Sequence, residues 1–159
     1  MMIDEHGPDG AVGARMVLTY QTHSPYARKA LVFAHELGIA DPIDVLHQET
    51  SPSRRNQQVF DLNPLGKVPV LITPDAGAIF DSCVICEYLA ALHDGSGLLP
   101  AAGETRWRAL RMQSVAQGIA EAGIMVRWET ERRPEHLRYA LLRDGYVDKL
   151  VASYDWLER

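Results

Sequence analysis

Lys67-Val68-Pro69-Val70-Leu71-Ile72-Thr73-Pro74-Asp75-Ala76-Gly77-Ala78-Ile79-Phe80-Asp81-Ser82 is the stretch whose reading decides the fold. Val68 to Thr73 and Ala78 to Phe80 are short apolar runs, and Pro74-Asp75-Ala76-Gly77 between them carries the residue types that reverse a chain. The pattern predicts two strands joined by a tight hairpin. Pro69 has no N–H to give a sheet, so its strand lies at an edge or begins near it. Asp81-Ser82 then supplies a helix cap, and a helix is expected through about Leu92.

Toward the N-terminus, Asn63-Pro64-Leu65-Gly66 marks a turn and Ser53 to Leu62 reads as a short polar helix. Ile43 to Leu46 is a second apolar strand. Before it lies a helix with Ala30, Leu31, Phe33, Ala34 and Leu37 as its apolar set, Ser24 as cap, Pro25 in its first turn and Gly38 at its stop. Met16 to Gln21 is the strand that feeds it. A right-handed crossover pairs the first two strands in parallel. The order is therefore βαβαββα, an α/β unit with the thioredoxin-like arrangement. Met1 to Arg15 combines Gly, Pro and acidic residues without an apolar period and is expected to be a flexible tail.

Toward the C-terminus, residues 94–103 turn to Gly, Ser, Pro and Ala, the composition of a linker. Glu104 to Arg132 reads as one long helix. Pro134 opens a second that runs to the end, with Leu137, Leu141, Leu150, Tyr154 and Leu157 as its apolar set. The expected organisation is a tail over 1–15, an α/β domain over 16–93, a linker over 94–103 and a partial all-α domain over 104–159.

The chain has 159 residues, 47% of them hydrophobic, and a formal charge of -5, with 16 Lys and Arg against 21 Asp and Glu. An acidic balance argues against a sequence-independent grip on nucleic acid, which needs a basic face to displace counterions. No apolar run approaches the roughly 20 residues of a membrane helix, and no secretory signal opens the chain, so a cytoplasmic location without a membrane partner is expected. Two cysteines make neither a disulfide framework nor a zinc site, the six histidines have no ligand spacing, and no metal is expected.

Three segments together resemble bacterial glutathione S-transferases: Ser24-Pro25-Tyr26-Ala27-Arg28-Lys29, Asn63-Pro64-Leu65-Gly66-Lys67-Val68-Pro69-Val70-Leu71, and Asp81-Ser82-Cys83-Val84-Ile85-Cys86-Glu87-Tyr88-Leu89. Their order and spacing match as well, and the resemblance runs from Met16 to the C-terminus. It implies a glutathione site. Ser24 takes the position of the residue beside the glutathione sulfur. A free thiol is only about 3% thiolate at pH 7, so a hydroxyl donor and a helix N-terminus that favour the anion have a chemical purpose. Pro69 is implied to be cis, turning the Val68 backbone toward the cysteinyl part of glutathione. Ser82 and neighbouring amides are implied to hold the γ-glutamyl carboxylate, Asp81 its ammonium group, and Lys67 to lie near the glycyl carboxylate. By themselves, Ser24 and Asp81-Ser82 read as ordinary helix caps, Lys67 as a solvated turn residue, and Met125, Trp128 and Tyr139 as core.

With Ser at position 24 a mixed-disulfide intermediate cannot form there. The resemblance therefore implies attack by bound glutathione thiolate, the co-substrate, on a small electrophile or a peroxide. It also implies a homodimer and further helices beyond Arg159, so the last helices are expected to leave an apolar face that favours self-association. A catalytically silent binding module of the same fold is the alternative. Cys83-Val84-Ile85-Cys86 has the layout of disulfide oxidoreductases but opens a different helix from theirs; packed thiols are the plainer reading, a redox protein the other.

Overall fold

The computed structural model describes residues 15–93 and 97–159 and divides into two compact units, Met1–Ser96 and Gly97–Arg159. The expected tail, apart from Arg15, and residues 94–96 of the expected linker lie outside the described residues. In the first unit, β1 (Met16–Tyr20), α1 (Pro25–Glu36), β2 (Ile43–His47), α2 (Gln57–Leu62), β3 (Leu71–Thr73), β4 (Gly77–Ile79) and α3 (Ser82–Ala91) follow in the order read from the sequence. The sheet runs β2-β1-β3-β4. β1 and β2 are parallel, Leu18 opposite Val45, while β3 is antiparallel to both β1 and β4.

The two helices that cover this sheet bury small or branched residues at helical spacing: Ala27, Ala30 and Ala34 on α1, Ile85, Cys86 and Leu89 on α3. Small alanines let α1 lie close to the sheet, and Leu18, Leu71, Ile85 and Leu89 fill the space beneath. Each such large side chain contributes about 1.5–3 kcal/mol over remaining exposed. Ser24 caps α1 by accepting from the Ala27 N–H at 3.2 Å, and Gly38 ends the helix with φ of 71°, its amide on the His35 carbonyl. Arg15 is tied to the β2 edge by a two-pronged ion pair with Asp44.

In the first unit the helix expected over Ser53 to Leu62 and the strand expected from Val68 begin later than the sequence reading has them. The expected helix over Ser53 to Leu62 begins only at Gln57, because Ser51 and Arg54 bridge each other in a turn and Asn56 takes the cap, accepting from the Gln58 N–H at 3.1 Å. The strand expected from Val68 is regular only from Leu71 onward, and its first backbone bond to β1 is made by the Val70 carbonyl, since Pro69 interrupts the ladder.

The second unit holds α4 (Gly103–Arg127), a wider π-helical turn over Trp128–Arg132, a 3₁₀ turn over Glu135–Leu137, and α5 (Ala140–Leu157). The second long helix was expected from Pro134; it starts six residues later. The reason is Glu129, which is buried: its Oε1 accepts from Arg133 Nε at 2.8 Å, and its Oε2 accepts from the Tyr139 N–H at 2.9 Å. This carboxylate supplies the N-terminal cap that Tyr139 cannot, and α5 begins where it is satisfied. Among the described residues no helix is long and apolar enough to cross a membrane.

Candidate functional site

The strand registers bring the three motifs to one end of the first sheet. β1 leaves the sheet at Tyr20 and reaches Ser24 at the start of α1. β3 runs the other way, Leu18 opposite Leu71, so the residues before it, Val68 to Val70, lie beside the C-terminal end of β1. β4 is antiparallel to β3 with Ile79 opposite Leu71, which brings Asp81-Ser82 out at the same end. All six predicted site residues, Ser24, Lys67, Val68, Pro69, Asp81 and Ser82, thus belong to segments that meet at this edge of the first unit.

Ser24 uses its hydroxyl oxygen as the α1 cap, which leaves the O–H hydrogen without an acceptor among the described residues. A hydroxyl so placed can still donate to an anion. The Val68–Pro69 peptide is cis, as is Phe80–Asp81. Val68 and Pro69 are buried, yet neither the N–H nor the C=O of Val68 is hydrogen-bonded to any described residue. An unpaired donor and acceptor on one residue at a sheet end is what an added extended chain would satisfy.

Asp81 caps α3, its Oδ1 accepting from the Cys83 N–H at 2.7 Å and, more loosely, from the Ser82 hydroxyl at 3.3 Å. Its Oδ2 has no partner among the described residues. Ser82 is 2% exposed. Lys67 is exposed, and it is its carbonyl that the fold uses, accepting from Asn63 Nδ2 at 2.9 Å.

Three further residues hold the site and were not singled out from the sequence. Thr19, fully buried in β1, accepts the Val70 N–H on its hydroxyl at 2.6 Å while its own amide donates to the Val70 carbonyl at 2.8 Å. Asn63 accepts from the Leu65 N–H at 3.0 Å as well as donating to Lys67. Thr50 donates to the Gly66 carbonyl at 3.0 Å. Asn63 was legible in part, since Asn before Pro is a turn former; the long-range contacts of Thr19 and Thr50 left no local signal. Cys86, buried, has its thiol pushed up to about 11 by that burial. No group of three or more His, Cys, Asp or Glu side chains with the makings of a metal site occurs among the described residues.

The family model described as "Glutathione S-transferase, N-terminal domain" matches residues 23–92. A glutathione transferase family member from Pseudomonas fluorescens Pf-5, solved with bound glutathione, is 34% identical and has a TM-score of 0.86 over 90% of this chain and 70% of its own. The GST-like protein YibF of Escherichia coli K12 is 32% identical over 136 residues, 85% of this chain and 64% of its own length. Elongation factor 1-gamma 3 of Oryza sativa is 37% identical over 83 residues, 52% of this chain and 20% of its own length. The chain thus spans about two thirds of the length of YibF and a fifth of that of the elongation factor.

Proposed function

The chain belongs to the glutathione S-transferase family, and on that premise we propose that it binds glutathione at the sheet end formed by Ser24, Val68-Pro69 and Asp81-Ser82 and activates its thiol. The observation that carries the reading is the unpaired backbone of Val68 at the end of the sheet. The cysteinyl part of glutathione, an extended peptide with its own N–H and C=O, satisfies both groups as an added strand. The γ-glutamyl carboxylate then meets the Ser82 hydroxyl and the start of α3, and its ammonium group meets the open oxygen of Asp81. The thiol comes to Ser24, whose uncommitted O–H donates to the thiolate and favours it over the thiol. Lys67 supplies a positive charge toward the glycyl carboxylate.

The reaction is attack by that thiolate on a small electrophile or a peroxide, in the cytoplasm, by a homodimer of the chain. Glutathione bound in the Pseudomonas relative supports the first half of this reading. A second reading, a binding module without turnover, draws on the 37% identity to an elongation factor over 83 residues.

Calorimetric titration with glutathione tests the proposal. The wild-type chain should bind, and Ser82→Ala should bind about tenfold more weakly, equivalent to about 1.4 kcal/mol. Absence of binding by a folded wild-type chain sinks both readings. Binding without turnover of a generic electrophile leaves only the second.

A further inference from the structure

Cys83 and Cys86 have no task in the glutathione reading. They stand three residues apart on α3, the spacing that puts two side chains on one helix face. The ammonium of Lys29, from α1, donates to Cys83 Sγ at 3.2 Å. The two thiols are unequal: Cys83 is half-buried and Cys86 fully buried. Burial pushes the Cys86 thiol up to about 11, a shift that the charge of Lys29 opposes and Cys83, Asp81 and Glu87 add to. The chain therefore holds an accessible sulfur, a second sulfur behind it, and one cation beside the pair.

We propose that Cys83 and Cys86 form a dithiol–disulfide redox pair that is oxidised by small-molecule disulfides, with Lys29 as its positioning cation. In the first step the Cys83 thiolate, its proton given to solvent, attacks one sulfur of the external disulfide. A Cys83–sulfur bond forms, the external S–S bond breaks, and the departing thiolate takes up a proton. Cys86 then gives up its proton and attacks the Cys83 sulfur, which closes the internal disulfide and releases the second external thiol. The protein loses two protons and two electrons, and the oxidant gains them as two thiols. The difference in exposure sets this order, because only Cys83 is open to an incoming molecule. Lys29 faces the negative charge that Cys83 carries as attacking thiolate and again as leaving group when the disulfide is reduced.

Side chains three residues apart on a helix have Cβ atoms about 5–6 Å from each other, and a disulfide needs about 3.5–4.5 Å. Closure therefore requires the first turn of α3 to tighten by roughly an ångström, and Cys83 stands in that first turn, where the backbone N–H groups have no intrahelical partner. This proposal goes beyond glutathione binding and does not depend on it.

The test uses the full chain with 2-hydroxyethyl disulfide, which carries no glutathione recognition, and separately with glutathione disulfide, read by intact mass and thiol count. Wild type should lose both thiols and two hydrogens with either oxidant. Cys86→Ser and Cys86→Ala should stop with one glutathionyl group on Cys83, and Cys83→Ser should keep its remaining thiol. Lys29→Met should oxidise several-fold more slowly, with the rate restored in Lys29→Arg. A folded wild type that keeps both thiols, a glutathionyl adduct on wild type that never closes, or a Cys83→Ser variant that reacts at the wild-type rate overturns the proposal. Equal rates for wild type and Lys29→Met remove Lys29 from it.

Discussion

Thr19 shows how much of the site rests on one hydroxyl. Pro69 cannot donate to the sheet, so β3 first meets β1 at Val70, and both polar backbone groups of Val70 are met by Thr19. Thr19→Val keeps the shape but strands the Val70 N–H in a buried place, which should lower unfolding free energy in urea by about 1–3 kcal/mol. Thr19→Ser should recover most of it. An unchanged midpoint in the valine variant would show that Val70 finds another partner. At Ser24 the same atom has two tasks, and two measurements separate them. Ser24→Ala removes the α1 cap, expected to cost about 1 kcal/mol of stability. It also removes the donor to the sulfur, expected to raise the thiol pKa of bound glutathione by about one to two units, read from thiolate absorbance against pH. A loss of stability with the thiol pKa unmoved would make Ser24 a cap alone. The sequence showed Ser24 as a cap through its Pro25 neighbour and as a site residue only through the company of the other motifs. Thr19 gave no such sign, since a threonine in an apolar strand is an ordinary strand residue.

The segment from Asn63 to Lys67 behaves as one piece that presents Val68. Gly66 has φ of 62°, and a Cβ at this position would clash with the ring of Phe60. Gly66→Ala must both strain the backbone and displace that ring, against which the Arg55 guanidinium is stacked at 3.7 Å. It should lower thermal stability and weaken glutathione binding together; a variant with unchanged affinity would separate this loop from the site. At the other end of the chain, Glu129 joins the π-helical turn to the start of α5. The Tyr139 N–H, then the Arg133 guanidinium and the charge of Arg138, hold its carboxyl below the usual glutamate range. A carboxyl whose pKa is lower folded than unfolded adds stability above the unfolded value, and this is lost as pH falls through the folded one. Glu129→Gln should therefore melt at a lower temperature than wild type at pH 7, with the gap closing as the pH is taken below the ordinary carboxylate range. A gap that persists in acid would assign the effect to packing. The longer helices were legible from apolar spacing and caps, but the start of α5 was not. Pro134 is a natural helix opener, and only a side chain ten residues before Tyr139 says otherwise.

The chain as a whole divides its burden unevenly. Every predicted glutathione contact lies in the first unit, within one sheet end that register and topology alone assemble, which is why three short motifs pointed to one place. The second unit carries few signals of that kind, and none of its residues was read into the site. Its α5 has no buried residue, and Val147, Val151 and Tyr154, at the spacing of one helix face, are 38%, 55% and 55% exposed. An apolar stripe facing water favours association, since each side chain that leaves water on contact gains about 1.5–3 kcal/mol when fully covered. Sedimentation velocity over a range of concentrations should show reversible self-association of the 159-residue chain, and Val151→Lys, which puts a charge in the middle of the stripe, should weaken it without loss of helical signal. If wild type sediments as a single monomer at every concentration, the stripe is too small to drive association and the homodimer loses its support in the second unit. If it associates and Val151→Lys does so equally well, the contact lies elsewhere, and a matching variant on an exposed apolar residue of the first unit, such as Leu65 at 63% exposure, becomes the discriminating measurement.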